Sequence, residues 1–154
     1  MEKKSTNPKL PDLTLINVYG CASIGKTSTL TALYDLAKSS PTFIGNDPYY
    51  MTDCDFRAFF EYKGEKVGIM TFGDTLDGGE VEDFLDECIN NKCVRIFTAS
   101  RTRGAVYDTV SGFANKNGYS FIETSPLYMR RPNGYNGSFN ILHNTFAQML
   151  ESLI

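Results

Sequence analysis

The stretch Gly20-Cys21-Ala22-Ser23-Ile24-Gly25-Lys26-Thr27 constrains this chain more than any other. Its glycine, lysine and threonine spacing is that of a backbone loop that wraps a phosphate. It follows an apolar run, residues 13–19, that reads as a strand, and it opens a segment of helical periodicity. In that setting the glycines let successive N–H groups converge on one point, Lys26 reaches the terminal phosphates, and the Thr27 hydroxyl is placed to ligate magnesium. The helix that starts near Lys26 adds its positive end to the same point. Gly20, Cys21, Ala22, Ser23, Ile24, Gly25, Lys26, Thr27 and Ser28 are therefore the expected nucleotide contacts. A glycine-rich turn with a chance lysine would not require strand, spacing, Lys-Thr pair and helix to coincide.

A chain of 154 residues that is 42% hydrophobic can bury one substantial core and has no length for a second. Residues 1–11 read as a flexible tail and 12–154 as the domain. The net charge of −3 and the lack of a long basic tract argue against a nucleic-acid partner. No apolar run approaches the roughly 18 residues of a membrane span. The start, residues 1–9, shows no apolar stretch behind its charges, so a cytoplasmic protein without a membrane partner is expected. Cys21, Cys54, Cys88 and Cys93 form no C-x-x-C pair and have one histidine, His143, beside them in the composition. Reduced thiols are expected there, not zinc.

After the loop, Leu30, Leu33, Tyr34, Leu36 and Ala37 recur at helical spacing until Ser39-Ser40-Pro41. Residues 41–55 read as a long loop carrying Tyr49 and Tyr50. Residues 56–62 and 66–74, joined through Lys63-Gly64-Glu65, read as an antiparallel hairpin. Its second strand runs to Asp74, the pattern of a buried strand that delivers a carboxylate toward magnesium. A helix over 80–91 should turn Val81, Phe84, Leu85, Cys88 and Ile89 inward. A strand over 94–100 precedes the basic turn Arg101-Thr102-Arg103-Gly104, a helix over 105–115 and a strand over 119–124. The last helix carries Phe139, Ile141, Leu142, Phe146, Met149, Leu150 and Leu153 on its apolar side, with His143 as a surface or boundary residue.

The loop motif resembles that of the P-loop NTPase superfamily. The resemblance implies a three-layer α/β fold that binds ATP or GTP with Mg2+, with a mainly parallel sheet of about five to six strands and one antiparallel hairpin strand. The order of phosphate loop, helix, long loop, hairpin and Asp-terminated strand is similar to the front half of Ras-like small GTPases. There Thr52 would match a magnesium-binding threonine by position, joining Thr27 and Asp74 as metal ligands. The guanine motif of that family is absent, because the matching strand ends Thr98-Ala99-Ser100-Arg101, and Asn115-Lys116-Asn117-Gly118 lacks the aspartate. The chain is also one strand-helix unit short of that pattern.

Arginines stand where the guanine motif would be. Arg101 and Arg103 after one strand, and Arg130 and Arg131 after the next, should project from the sheet edge that carries the phosphate loop. Guanidinium groups suit phosphate oxygens, so Lys26, Asp74, Arg101 and Arg103 are the candidate catalytic residues. The expected function is binding of a purine nucleoside triphosphate with slow hydrolysis. Phosphoryl transfer to an acceptor is the alternative, as is a nucleotide-gated switch. No glutamate follows Asp74 directly, and Glu80, Asp77 and Asp55 are weak substitutes for a water-activating group, which a protein partner could supply.

Overall fold

Alternation along the first strand decides how the layers form. In the computed structural model, which describes residues 10–20, 24–73, 79–126 and 137–154 and of 137–141 the backbone only, β1 (Thr14–Tyr19) lies inside the sheet, and its residues face two separate cores. Ile16 and Val18 join one with Leu30, Leu33, Phe146 and Leu150. Leu15 joins the other with Phe84, Leu85 and Val110. Period-two exposure of a strand buried on both faces therefore calls for helices on both sides.

The elements follow as α1 (Lys26–Lys38), β2 (Ile44–Gly45), β3 (Tyr49–Tyr50), β4 (Phe56–Tyr62), β5 (Glu65–Met70), α2 (Gly79–Asn90), β6 (Arg95–Ser100), α3 (Ala105–Asn117), β7 (Ser120–Thr124) and α4 (Gly137–Glu151). Helices α1 and α4 cover one face and α2 and α3 the other. No helix among the described residues is long and apolar enough to cross a membrane.

The sheet corrects the expectation of a mainly parallel one of five to six strands. Among the described residues it has seven strands in the order β2-β4-β5-β6-β1-β7, with β3 also on β4. β1 pairs in parallel with β6 and β7, and β5 with β6, whereas β4 pairs antiparallel with β5, β2 and β3. The difference lies in residues 41–55. Read as loop, this segment lays two short strands along β4, satisfying backbone groups that an edge strand would leave open. Strands of two residues have no periodicity to read.

Among the described side chains, two apolar residues expected inside are outside: Ile89 is 42% exposed and Met149 45%. Each sits at the margin of its helix's apolar stripe, and neighbours such as Cys88 and Leu150 already fill the core. At the end of the sheet opposite Gly20, Arg95 is buried. Its guanidinium donates to the carbonyls of Pro11, Asp12 and Leu153, tying the start of β1 to the chain's last residues.

Gly73 follows β5 and presses on the end of β6, where a Cβ would meet the Ala99 carbonyl carbon at 2.5 Å and the Ser100 nitrogen at 2.7 Å. These are backbone atoms and cannot swing away. Gly73→Ala should therefore destabilise the protein by about 1–3 kcal/mol through overpacking. Gly112 inside α3 has nothing within 4 Å of such a Cβ, so Gly112→Ala should stabilise by about 0.5–1 kcal/mol. Urea midpoints of the two variants, moving in opposite directions, check both.

Candidate functional site

The loop that leaves β1 is fixed at both ends by groups of its own and of β6. The Gly20 N–H donates to the Ser100 carbonyl at 3.1 Å. Gly25 takes left-handed backbone angles, φ 96° and ψ 22°, at the cap of α1, a conformation costly for any residue with a Cβ. Its carbonyl then accepts from Thr29 at 2.9 Å, which starts the helix. Lys26 is 4% exposed, and its Nζ reaches back to donate to the Gly20 carbonyl at 2.7 Å. Ile24 is half-buried and Ser28 exposed. Cys21, Ala22 and Ser23 lie outside the described residues.

A carboxylate does meet Thr27, and it is Asp55. The Thr27 hydroxyl lies 3.2 Å from Asp55 Oδ1 and 3.4 Å from the Thr71 carbonyl. Thr71 donates its hydroxyl to the same Asp55 oxygen at 3.0 Å and accepts from the Phe56 N–H at 2.9 Å. The hairpin register explains the meeting. Arg57 pairs with Met70, the Thr71 N–H bonds the Phe56 carbonyl at 3.0 Å, and Asp55 is the next residue out. Asp55 enters by way of a turn: its N–H donates to the Thr52 hydroxyl at 2.9 Å and its carbonyl accepts from Met51 at 2.8 Å.

Thr52, a metal ligand by sequence, thus uses its hydroxyl to hold Asp55 in place. Asp74, like Asp77, Arg130 and Arg131, lies outside the described residues. Asp55 had a legible signal in Thr52-Asp53-Cys54-Asp55, since a Ser/Thr hydroxyl that closes on a later N–H is a common turn device. What sequence alone withheld was the hairpin register.

Arg101 and Arg103 are exposed in the turn after β6. Tyr19 pairs with Ser100 and Val18 with Thr124, so the strands end along one edge and this basic turn shares it with Gly20 and the start of α1. Beneath it runs a buried polar chain. Thr98 donates to Asn17 Oδ1 at 2.9 Å, Asn17 Nδ2 to the Ser100 hydroxyl at 2.8 Å, and that hydroxyl to the Arg101 carbonyl at 2.8 Å. Fully satisfied networks of this kind fix strand ends.

His143 of α4 is the other residue at the loop. A Cβ on Gly25 would fall 2.2 Å from His143 Nε2, so the imidazole lies directly against the glycine. Desolvation holds its pKa below the usual value. Spacing alone made it a boundary residue; its position over Gly25 follows from the packing of α4 on α1, which periodicity does not specify. Among the described residues, no group of three His, Cys, Asp or Glu side chains is gathered that could hold a metal ion. Cys54 is exposed and Cys88 and Cys93 are buried, all as free thiols. Comparison with protein-family models, with curated proteins and with solved structures found no match.

The depressed His143 pKa sets the sign of a pH effect. The unfolded chain binds this proton more readily than the folded one, so the stability it contributes is present above the unfolded pKa of about 6.5 and is lost as pH falls through the folded value. Urea titrations of the ligand-free protein from pH 7.5 down to 5 should show stability falling, and His143→Gln should flatten that slope. An unchanged slope in the variant would detach His143 from the effect.

Proposed function

We propose that this chain binds a nucleoside triphosphate with magnesium on a three-layer P-loop fold and hydrolyses it slowly. The observation that carries the reading is the Thr27 hydroxyl meeting the Asp55 carboxylate beside a buried Lys26 that folds back to Gly20. Magnesium takes oxygen ligands in an octahedron at about 2.1 Å, whose edges are ~3 Å, and it is held by one or two protein oxygens plus phosphates and waters. The 3.2 Å between Thr27 Oγ1 and Asp55 Oδ1 fits such an edge, and both donors are oxygen. These two residues would hold the metal, which when bound neutralises charge on the phosphates.

The remaining phosphate-binding and charge-stabilising roles fall to groups of the chain. The N–H groups that open α1 meet the phosphate oxygens, and Lys26 places a cation among them. Asp55 accepts from two hydroxyls, and Thr71 and Thr52 orient it. Arg101 and Arg103, exposed at the same edge, are suited to the charge that builds on transferring phosphoryl oxygens. With Asp55 committed to the metal, the water-activating group comes from elsewhere, a protein partner being one source, and turnover is slow.

Lys26→Ala should weaken triphosphate binding by roughly ten- to a hundredfold, the usual worth of a charge-assisted phosphate contact. Asp55→Asn keeps an oxygen for the two hydroxyls and removes the charge. It should leave metal-free affinity near wild type while abolishing most of the gain that magnesium brings. Calorimetry with and without magnesium separates the two, and an Asp55→Asn protein with full magnesium dependence would make Asp55 a turn residue only.

A further inference from the structure

A cavity of about 750 Å³ opens at Thr27 and Ser28 and runs along one side of α1, a size within the ~300–1,000 Å³ of small-molecule sites. Its α1 wall continues through Thr31, Ala32, Asp35 and Leu36, the three- and four-residue spacing of a single helix face. From Thr27 to Leu36 that face covers roughly two and a half turns, about 13 Å at 5.4 Å per turn. A ligand whose phosphates sit at the start of α1 has this space beside it for the rest of its structure.

The lining chooses the chemistry. Among the described residues it includes Asp35 and Asp53 and no lysine or arginine, so these walls accept hydroxyl or amino donors. From α4, Asn144 and Gln148 contribute carboxamides, one turn apart and hence on one face. Both are exposed, so their amide groups are open to a ligand in the cavity. The opposite wall holds Tyr50, 58% exposed, its ring tilted at 53° on Phe56 with centroids 5.6 Å apart. Flat aromatic surface, carboxamides and acceptor carboxylates together match a base and a ribose.

Resting on the nucleotide reading above, we propose that this cavity receives the nucleoside of the bound triphosphate and that the nucleoside is adenosine. A carboxamide donates and accepts side by side, as the N6/N7 edge of adenine requires. The carboxylates of Asp35 and Asp53 serve the ribose hydroxyls, and Tyr50 stacks on the base. Base recognition then comes from α4, which explains a chain with no guanine motif at the end of β6.

Binding of ATP, GTP and inorganic tripolyphosphate, each with magnesium, to the full chain tests this. Wild type should bind ATP at least tenfold more tightly than either of the others. Asn144→Ala with Gln148→Ala should erase the preference of ATP over GTP, and Thr31→Trp, which fills the cavity, should bring ATP to the level of tripolyphosphate. Tripolyphosphate affinity should stay unchanged in both variants, which also reports that they fold. Equal affinity of wild type for ATP and tripolyphosphate would overturn the proposal, as would equal affinity for ATP and GTP, or both variants binding ATP as wild type does. Failure of wild type to bind tripolyphosphate at all would instead reject the phosphate site on which the proposal stands.

Discussion

A lysine residue that is 4% exposed is the constraint from which the rest of this structure follows. Taking a cation out of water costs several kcal/mol unless fixed oxygens replace its hydration. Lys26 meets that requirement by folding back on the Gly20 carbonyl at 2.7 Å, so the helix start is tied to the strand end. The tie holds only if Gly20 itself is fixed, and β6 fixes it through Ser100. Ser100 in turn is held by Asn17, whose buried amide also takes the Thr98 hydroxyl. A surface turn carrying a lysine would need none of these supports.

How much of this was legible follows from what sequence patterns encode. Long periodic segments announce themselves: residues 26–38 and 105–117 bury Leu30, Leu33, Val106 and Val110 as their spacing requires. The two-residue strands β2 and β3 do not, since their existence depends on β4 offering an open edge and not on their own composition. That is why a sheet expected to be mainly parallel is mixed. The same limit applies at the site. The Gly20 to Thr27 motif is local and its spacing could be read directly, whereas the Asp55 contact joins residues 28 positions apart and depends on a hairpin register that sequence specifies only through the pairing of both strands.

His143 shows the limit from another direction. Its neighbours Leu142 and Phe146 identify a helix face, and Phe146 is in the core. Which residue of the facing helix it meets depends on the crossing of α1 and α4, a property of two packed surfaces. At Gly25 a ring can approach the backbone so closely because the absence of a Cβ leaves the space. The left-handed angle and the histidine contact therefore place the same demand on residue 25.

These supports divide the site into two halves of unequal strength. Gly20, Lys26 and Thr27 stand on β1, β6 and α1, joined by strand ladders and a buried polar chain. Asp55 stands on residues 49–55, whose attachments include a two-residue strand, the Thr52 turn, the hydroxyls of Thr27 and Thr71, and the partly buried Met51 against the second core. Tyr49 and Tyr50 in this half are 62% and 58% exposed, so they bring little apolar burial to hold it. Segments with few buried contacts open at low free-energy cost. A ligand that touches both Thr27 and Asp55 gains contacts with the firm half and closes the weak one, so its binding energy is partly spent on order in residues 49–55. Those residues also supply Tyr50, Asp53 and Cys54 to the cavity beside α1, and that cavity's shape is thereby coupled to whatever occupies the Thr27 hydroxyl.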